Sequence, residues 1–205
     1  SKKIEYAVVD DGVRMAEGKT TNDFTAQMQQ PKVSVNLTYS GDIADNAKNR
    51  VVLDLLKRAL DSRYMISIRE EKGGTYGVRV SGGTNKYPVE QYVITIKFDT
   101  NEQLADELVE ICDKEIKRIA EEGPLVEGIA KSKEFLQKNY NNILESNSGW
   151  LSTIYNWYEE GYNYKDEYLD ILASITEDDI KALAQRILAD GNRTLVVMRP
   201  GATTE

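Results

Sequence analysis

Residues 32–60 change hydrophobic period once, at Asp42, and that change restricts the fold more than any other feature of the sequence. Val33, Val35, Leu37 and Tyr39 alternate with Lys32, Ser34, Asn36 and Thr38, the pattern of a half-buried strand. From Ile43 onward the apolar positions fall instead at Ala47, Val51, Leu55 and Ala59, with Leu56 and Leu60 beside them, which is one face of a helix. A strand with one apolar side that leads directly into a helix with one apolar stripe buries the two against each other.

The remaining pattern extends this unit. Gly73-Gly74 breaks the helical run, and Tyr76, Val78 and Val80 then alternate with Thr75, Gly77, Arg79 and Ser81. A turn is expected at Gly82-Gly83-Thr84-Asn85, and Tyr92, Ile94, Ile96 and Phe98 form the partner strand of an antiparallel hairpin. Leu104, Leu108, Val109, Cys112, Ile116 and Ile119 keep a helical period that Gly123 ends, and Pro124 stands where proline commonly opens a helix. Residues 125–144 have helical composition, an aromatic stretch follows, and Thr176 with Asp179 resembles a capping box for a helix over residues 180–188. Residues 195–198 read as a last short strand.

Strands therefore come in pairs without a helix between every two. The expected class is α+β, an antiparallel sheet of about five or six strands with helices packed on one face. Phe24, Ala26 and Met28 alternate only weakly. Residues 1–23 read as a polar arm, a linker or the tail of a preceding domain, and residues 24–205 as the domain itself. The chain opens on Ser1, which is compatible with a segment of something longer.

Function classes are bounded by what the sequence lacks. There is no histidine, whereas catalytic zinc sites usually take two or three imidazoles and Ser-His or Cys-His catalysis needs one as base. Cys112 is the single cysteine, so neither an internal disulfide nor a cysteine metal site is available, and its apolar neighbours point to an inert packed thiol. A net charge of -8 argues against nucleic acid or an anionic membrane as partner. No apolar run reaches the ~20 residues of a membrane span, and the opening SKKIEYAV has no signal-like apolar stretch.

The segment most suited to chemistry is Ile68-Arg69-Glu70-Glu71-Lys72-Gly73-Gly74-Thr75-Tyr76-Gly77-Val78, at the junction of helix and hairpin. Gly73 and Gly74 let the backbone turn where other residues would clash. Arg69 and Tyr76 flank that turn with donors suited to carbonyl oxygens. Without further information Tyr76 is a sheet-face tyrosine and Arg69 a surface ion-pair residue. A phosphate loop is not supported, because G-x-x-x-x-G-K-[ST] is not satisfied and the segment leads into a strand rather than a helix.

The run IREEKGGTYGVRVSGG resembles the signature stretch of C-terminal, non-metal domains in pitrilysin/insulinase-type zinc peptidases. The opening VSVNLTYSGDIADNAKNRVVLDLLKRAL and the close NRTLVVMRPG resemble the start and final strand of such a domain. In that family an Arg and, seven positions later, a Tyr face a zinc site carried by the first half of the enzyme, and here they correspond to Arg69 and Tyr76. The resemblance implies a domain of a zinc metalloendopeptidase in which Tyr76 is catalytic, an oxyanion donor, while Arg69, Gly73 and Gly74 bind a peptide substrate. Zinc would be held outside this chain, on N-terminal domains of the same protein or on a partner subunit, and this chain alone would be inert. Two other readings are a catalytically silent structural or partner domain of a processing-peptidase-like assembly and an independent peptide-binding module.

Two further features read more plainly. Trp150, Tyr155, Trp157, Tyr158, Tyr162, Tyr164 and Tyr168 suit core and inter-domain packing better than a ligand cage. The clusters Glu159-Glu160 and Glu177-Asp178-Asp179 suit solvated faces and helix N-terminal charge.

Overall fold

The computed structural model describes residues 9–70, 75, 77–161 and 163–201, with the side chains of Arg69, Glu70, Glu159, Glu160 and Tyr164 left out. Among these residues the strand predicted around Val35 is β2, Val33–Asp42, at the centre of a five-stranded sheet. Its partners are β4, Gln91–Thr100, on one side and β5, Asn192–Pro200, on the other, both antiparallel, with Leu37 opposite Ile96 and Leu195. β3, Arg79–Asn85, closes one edge beside β4, and β1, Lys19–Ala26, closes the other beside β5.

The β1–β5 pair is parallel, so the sheet is antiparallel in every pairing but one. Its ladder runs from Lys19 opposite Arg193 to Ala26 opposite Pro200. Residues 19–23, read from sequence as part of an arm, thus form the first half of an edge strand.

The alternation in β2 is the sheet's two faces. Val33, Val35, Leu37 and Tyr39 are buried with Tyr92, Ile94, Ile96 and Phe98 of β4 and Val197 of β5. Helices cover that face. α1, Ala47–Tyr64, starts where the Asn46 side chain accepts from the Asn49 N–H at 2.9 Å, and it buries Val51, Leu55, Leu56, Leu60 and Tyr64. α2, Ala105–Glu122, and α6, Glu177–Asp190, pack on each other and on β2. The capping box of α6 forms as expected, with Thr176 and Asp179 each satisfying the other's backbone N–H, and Gly191 ends the helix at φ 69. α3, Val126–Leu144, and α5, Tyr164–Ser174, lie against α1, and α4, Asn147–Glu160, lies on α3 and α5.

Two polar ties cross the layers. Arg193 of β5 donates to both Asp113 oxygens of α2 at 2.9 and 2.8 Å, and the Tyr39 hydroxyl of β2 donates to the same carboxylate. Arg63 of α1 meets Glu115 of α2 at 3.3 Å, with both residues buried.

The expected turn at Gly82-Gly83-Thr84-Asn85 lies instead within β3, and the connection follows it at residues 86–90. Gly82 is there for a close approach rather than a reversal. Its φ is +145, and a Cβ would stand 2.0 Å from the Val93 carbonyl oxygen on the neighbouring strand.

Of the aromatic stretch, Tyr168 is buried and stacks on Tyr140 at 5.0 Å between ring centres. Trp150, Tyr155, Trp157 and Tyr158 are exposed, so they do not belong to this domain's core. Tyr162 lies outside the described residues, and so does the Tyr164 side chain.

Candidate functional site

The junction singled out in the sequence is built at the C-terminal end of α1. The chain does not leave that helix at a glycine cap. It continues from Tyr64 into a π-helical turn, Met65–Glu70. Such turns are rare and concentrate at functional positions. Local chemistry favours the widening here: the buried Ser67 hydroxyl donates to the Arg63 carbonyl at 2.9 Å, competing with the backbone N–H that an α-helix would bring to that oxygen. Ile68 is fully buried and anchors the turn, whereas Met65 and Ile66 remain exposed. Arg69 is the next-to-last residue of the turn.

The chain is held again just before β3 and along it. The Thr75 hydroxyl donates to the Gly77 carbonyl at 3.2 Å and accepts from the Gly77 N–H at 3.3 Å. Val80 N–H donates to Asp61 Oδ1 at 3.2 Å, and Lys57 Nζ donates to the Gly82 carbonyl at 3.0 Å, so α1 grips β3 at two points. Between the two walls lies a cavity of about 360 Å³ lined by Asp61, Tyr64, Met65, Gly77, Val78, Arg79 and Val80.

The lining holds one carboxyl, Asp61, and one cation, Arg79. Loss of water around Asp61 raises that carboxyl above its usual range, with the Val80 N–H acting in the opposite sense. Arg79 lines the same cavity and is exposed. The Tyr64 hydroxyl is turned inward, donating to the Cys112 carbonyl at 3.1 Å, so it faces the core rather than a ligand. Gly73, Gly74 and Tyr76 lie outside the described residues, as does the side chain of Arg69. The described chain thus holds the backbone of Arg69 in the turn whose first residue, Met65, lines the cavity, and Gly77, the residue after Tyr76, in the same lining.

Asp61 and Ser67 were not singled out by sequence reasoning. Asp61 reads there as one more polar residue of a helix, and a π-helical turn has no periodic signature in six residues.

This chain's donors do not fit a catalytic zinc. The sequence has no histidine, and the described residues hold no group of three or more His, Cys, Asp or Glu placed to share an ion. Burial pushes the Cys112 thiol far above its ordinary range, away from the thiolate a metal would need.

Comparison with known proteins gives the family and the fold. Residues 15–136 match the family described as Peptidase M16 inactive domain, and the chain belongs to that family. It is similar to a zinc protease PQQL-like protein of Arabidopsis thaliana, 25% identical over 149 residues that cover 69% of this chain and 16% of the relative. The fold resembles the crystal structure of the periplasmic protease PqqL from Escherichia coli, with TM-score 0.78 at 17% identity over 91% of this chain and 21% of that one. It also resembles a peptidase M16 inactive domain from Pseudomonas fluorescens, with TM-score 0.73 at 17% identity over 94% of this chain and 47% of that one. The chain therefore spans between about a sixth and a half of the lengths of these relatives.

Proposed function

We propose that this M16 inactive domain forms the substrate-holding wall of a zinc-dependent endopeptidase whose metal lies outside this chain, on other domains of the same protein or on a partner subunit. The observation that supports this most is the π-helical turn: it carries the chain on from α1 to Arg69, and its first residue, Met65, lines a cavity together with Gly77, the residue after Tyr76. A widened turn redirects a helix end without capping it, which suits delivery of a side chain toward a neighbouring surface.

In this reading the substrate is an extended peptide. Arg69 donates to backbone carbonyls and holds the peptide in register, a charge-assisted contact worth about 1.5–3 kcal/mol. Tyr76 donates from its hydroxyl to the carbonyl oxygen of the scissile bond as negative charge develops there, worth about 2.7–4 kcal/mol of barrier. Gly73 and Gly74 allow the chain to approach the peptide backbone closely. The proton stays on the Tyr76 oxygen throughout, so the residue stabilises charge and transfers nothing.

The second reading, a catalytically silent partner domain, is favoured by the inactive description of the matched family. Cleavage of a peptide library by the full natural protein, with and without a zinc chelator, separates the two. Chelator-sensitive cleavage is the expected result. Folded protein that cleaves nothing at any zinc concentration would leave the silent domain as the account of this chain.

A further inference from the structure

We infer that the cavity between α1, the C-terminal half of β3 and helices α3–α5 is a second binding site, which takes a single carboxylate carried on an apolar body. Its volume is about 560 Å³, within the range of small-ligand sites. No residue lines both this cavity and the one at Met65 and Gly77. The buried part of the lining is apolar: Val51 and Leu53 of α1, Leu136 and Tyr140 of α3, and Tyr168 of α5. Two hydroxyls there are already spent, Tyr140 on the Lys165 carbonyl and Thr153 on the Gly149 carbonyl.

The charges of the lining leave one cation over. Arg50 is matched by Asp45, to which its Nε and one amino group donate at 2.8 and 2.5 Å. Lys57 and Arg58 have only Asp54 between them, with Lys57 Nζ at 3.1 Å and Arg58 Nε at a long 3.5 Å. Lys57 also donates to the Gly82 carbonyl, which leaves one of its three protons. Neither amino group of Arg58 has a hydrogen-bond partner among the described residues, although that side chain is only 32% exposed. Its guanidinium lies 4.6 Å from the centre of the Phe135 ring, a contact that holds it in place. Asn139, Ser152 and Asn156 complete the lining with side chains that make no hydrogen bond among the described residues.

This excess sets the charge of the ligand. It is local, in a chain whose net charge is -8. One unmatched cation compensates one negative charge, and the two amino groups of Arg58 suit the two oxygens of a carboxylate. A phosphate dianion would bring a second charge beside Asp54 with no cation left to meet it. The free amides and hydroxyl supply donors and acceptors for a polar group next to the acid. A free carboxylic acid and a Glu side chain of a peptide present the same chemistry here.

The test is titration calorimetry on the full natural protein, stripped of zinc by a chelator so that no metal outside this chain competes for the acid. The probes are N-benzoylglycine and an acetylated, amidated Phe-Glu-Phe peptide, each against its counterpart with an amide in place of the acid. At least one acid should bind about tenfold or more tightly than its amide. Arg58→Gln should abolish that preference, Arg58→Lys should keep part of it, and Lys114→Gln, at an exposed site on α2, should leave it intact. A preference confined to N-benzoylglycine would identify a free acid as the ligand, and one shown by the peptide would identify a peptide side chain; either supports the site. No preference for either acid, or a preference that survives Arg58→Gln, would overturn the inference. Peptide cleavage plays no part in this readout, so it stands or falls separately from the proposed role of Arg69 and Tyr76.

Discussion

Arg63 on α1 places its guanidinium 3.3 Å from the Glu115 carboxylate of α2, with both residues closed off from solvent, and its second amino group donates to the Gly123 carbonyl at 3.2 Å. The pair fixes the end of α1 immediately before the π-helical turn. It is imperfect, because the buried Arg63 Nε has no partner among the described residues. Glu115→Ala should therefore cost about 3–5 kcal/mol by leaving a buried charge unpaired, while Arg63→Met with Glu115→Leu should recover most of that loss. Urea unfolding of the three proteins checks this, and a double variant no more stable than the single one would contradict it.

Gly82 and Gly83 are adjacent in β3 but differ in what surrounds them. At Gly82 the backbone is in a region L side chains rarely adopt and a Cβ would run into Val93, whereas a Cβ at Gly83 meets nothing within 4 Å. Gly82→Ala should destabilise by about 1–3 kcal/mol or more, and Gly83→Ala should be neutral or slightly stabilising. Thermal melts of the two variants would decide the matter, and equal melting temperatures would refute the packing described for β3.

Asp179 ties the start of α6 to α1. Its carboxylate lies 2.7 Å from Lys48 Nζ and accepts from the Thr176 N–H and hydroxyl, both at 2.8 Å. Lys48 first, and then the Thr176 donors, hold the carboxyl down at about 2 from an ordinary 3.8. Because the folded value lies below the unfolded one, the stabilisation is complete above about pH 4 and is lost as pH falls through about 2. Asp179→Asn should flatten the fall in urea midpoint between those values. An acid limb as steep as the parent's would show that other carboxylates carry it.

How much of this was legible in the sequence follows from the range of each interaction. The alternation at Val33–Tyr39 and the helical face from Val51 to Leu60 are local, and the structure buries those residues. The parallel pairing of Lys19 with Arg193 joins the two ends of the chain, and no local pattern announces it. Gly82-Gly83 carries a strong turn signal, but the glycine there serves a contact with Val93 that is visible only once β3 and β4 are paired. In α4 the periodicity locates an apolar face without saying which side meets the rest of the domain, and the small residues, Gly149 and Thr153, decided it. For the site, the Arg69–Tyr76 spacing was readable as a family pattern, while the π-helical turn that carries Arg69 depends on Ser67 and the buried Ile68 and leaves no periodic trace.

Ser67 gives a test of that turn. Ser67→Ala removes the hydroxyl that occupies the Arg63 carbonyl, at a stability cost of about 0.5–1.5 kcal/mol. If the turn aims Arg69, the full natural protein carrying Ser67→Ala should show a raised KM for peptide while remaining folded at assay temperature. An unchanged KM would separate the turn from substrate binding.

The central claim is that Tyr76 stabilises the charge developing on the scissile carbonyl, and the most direct measurement is kcat for peptide cleavage by the full natural protein carrying Tyr76→Phe. The account predicts a fall of about 10²–10³-fold in kcat with an unchanged melting temperature. A kcat equal to that of the parent, in folded protein, would contradict it.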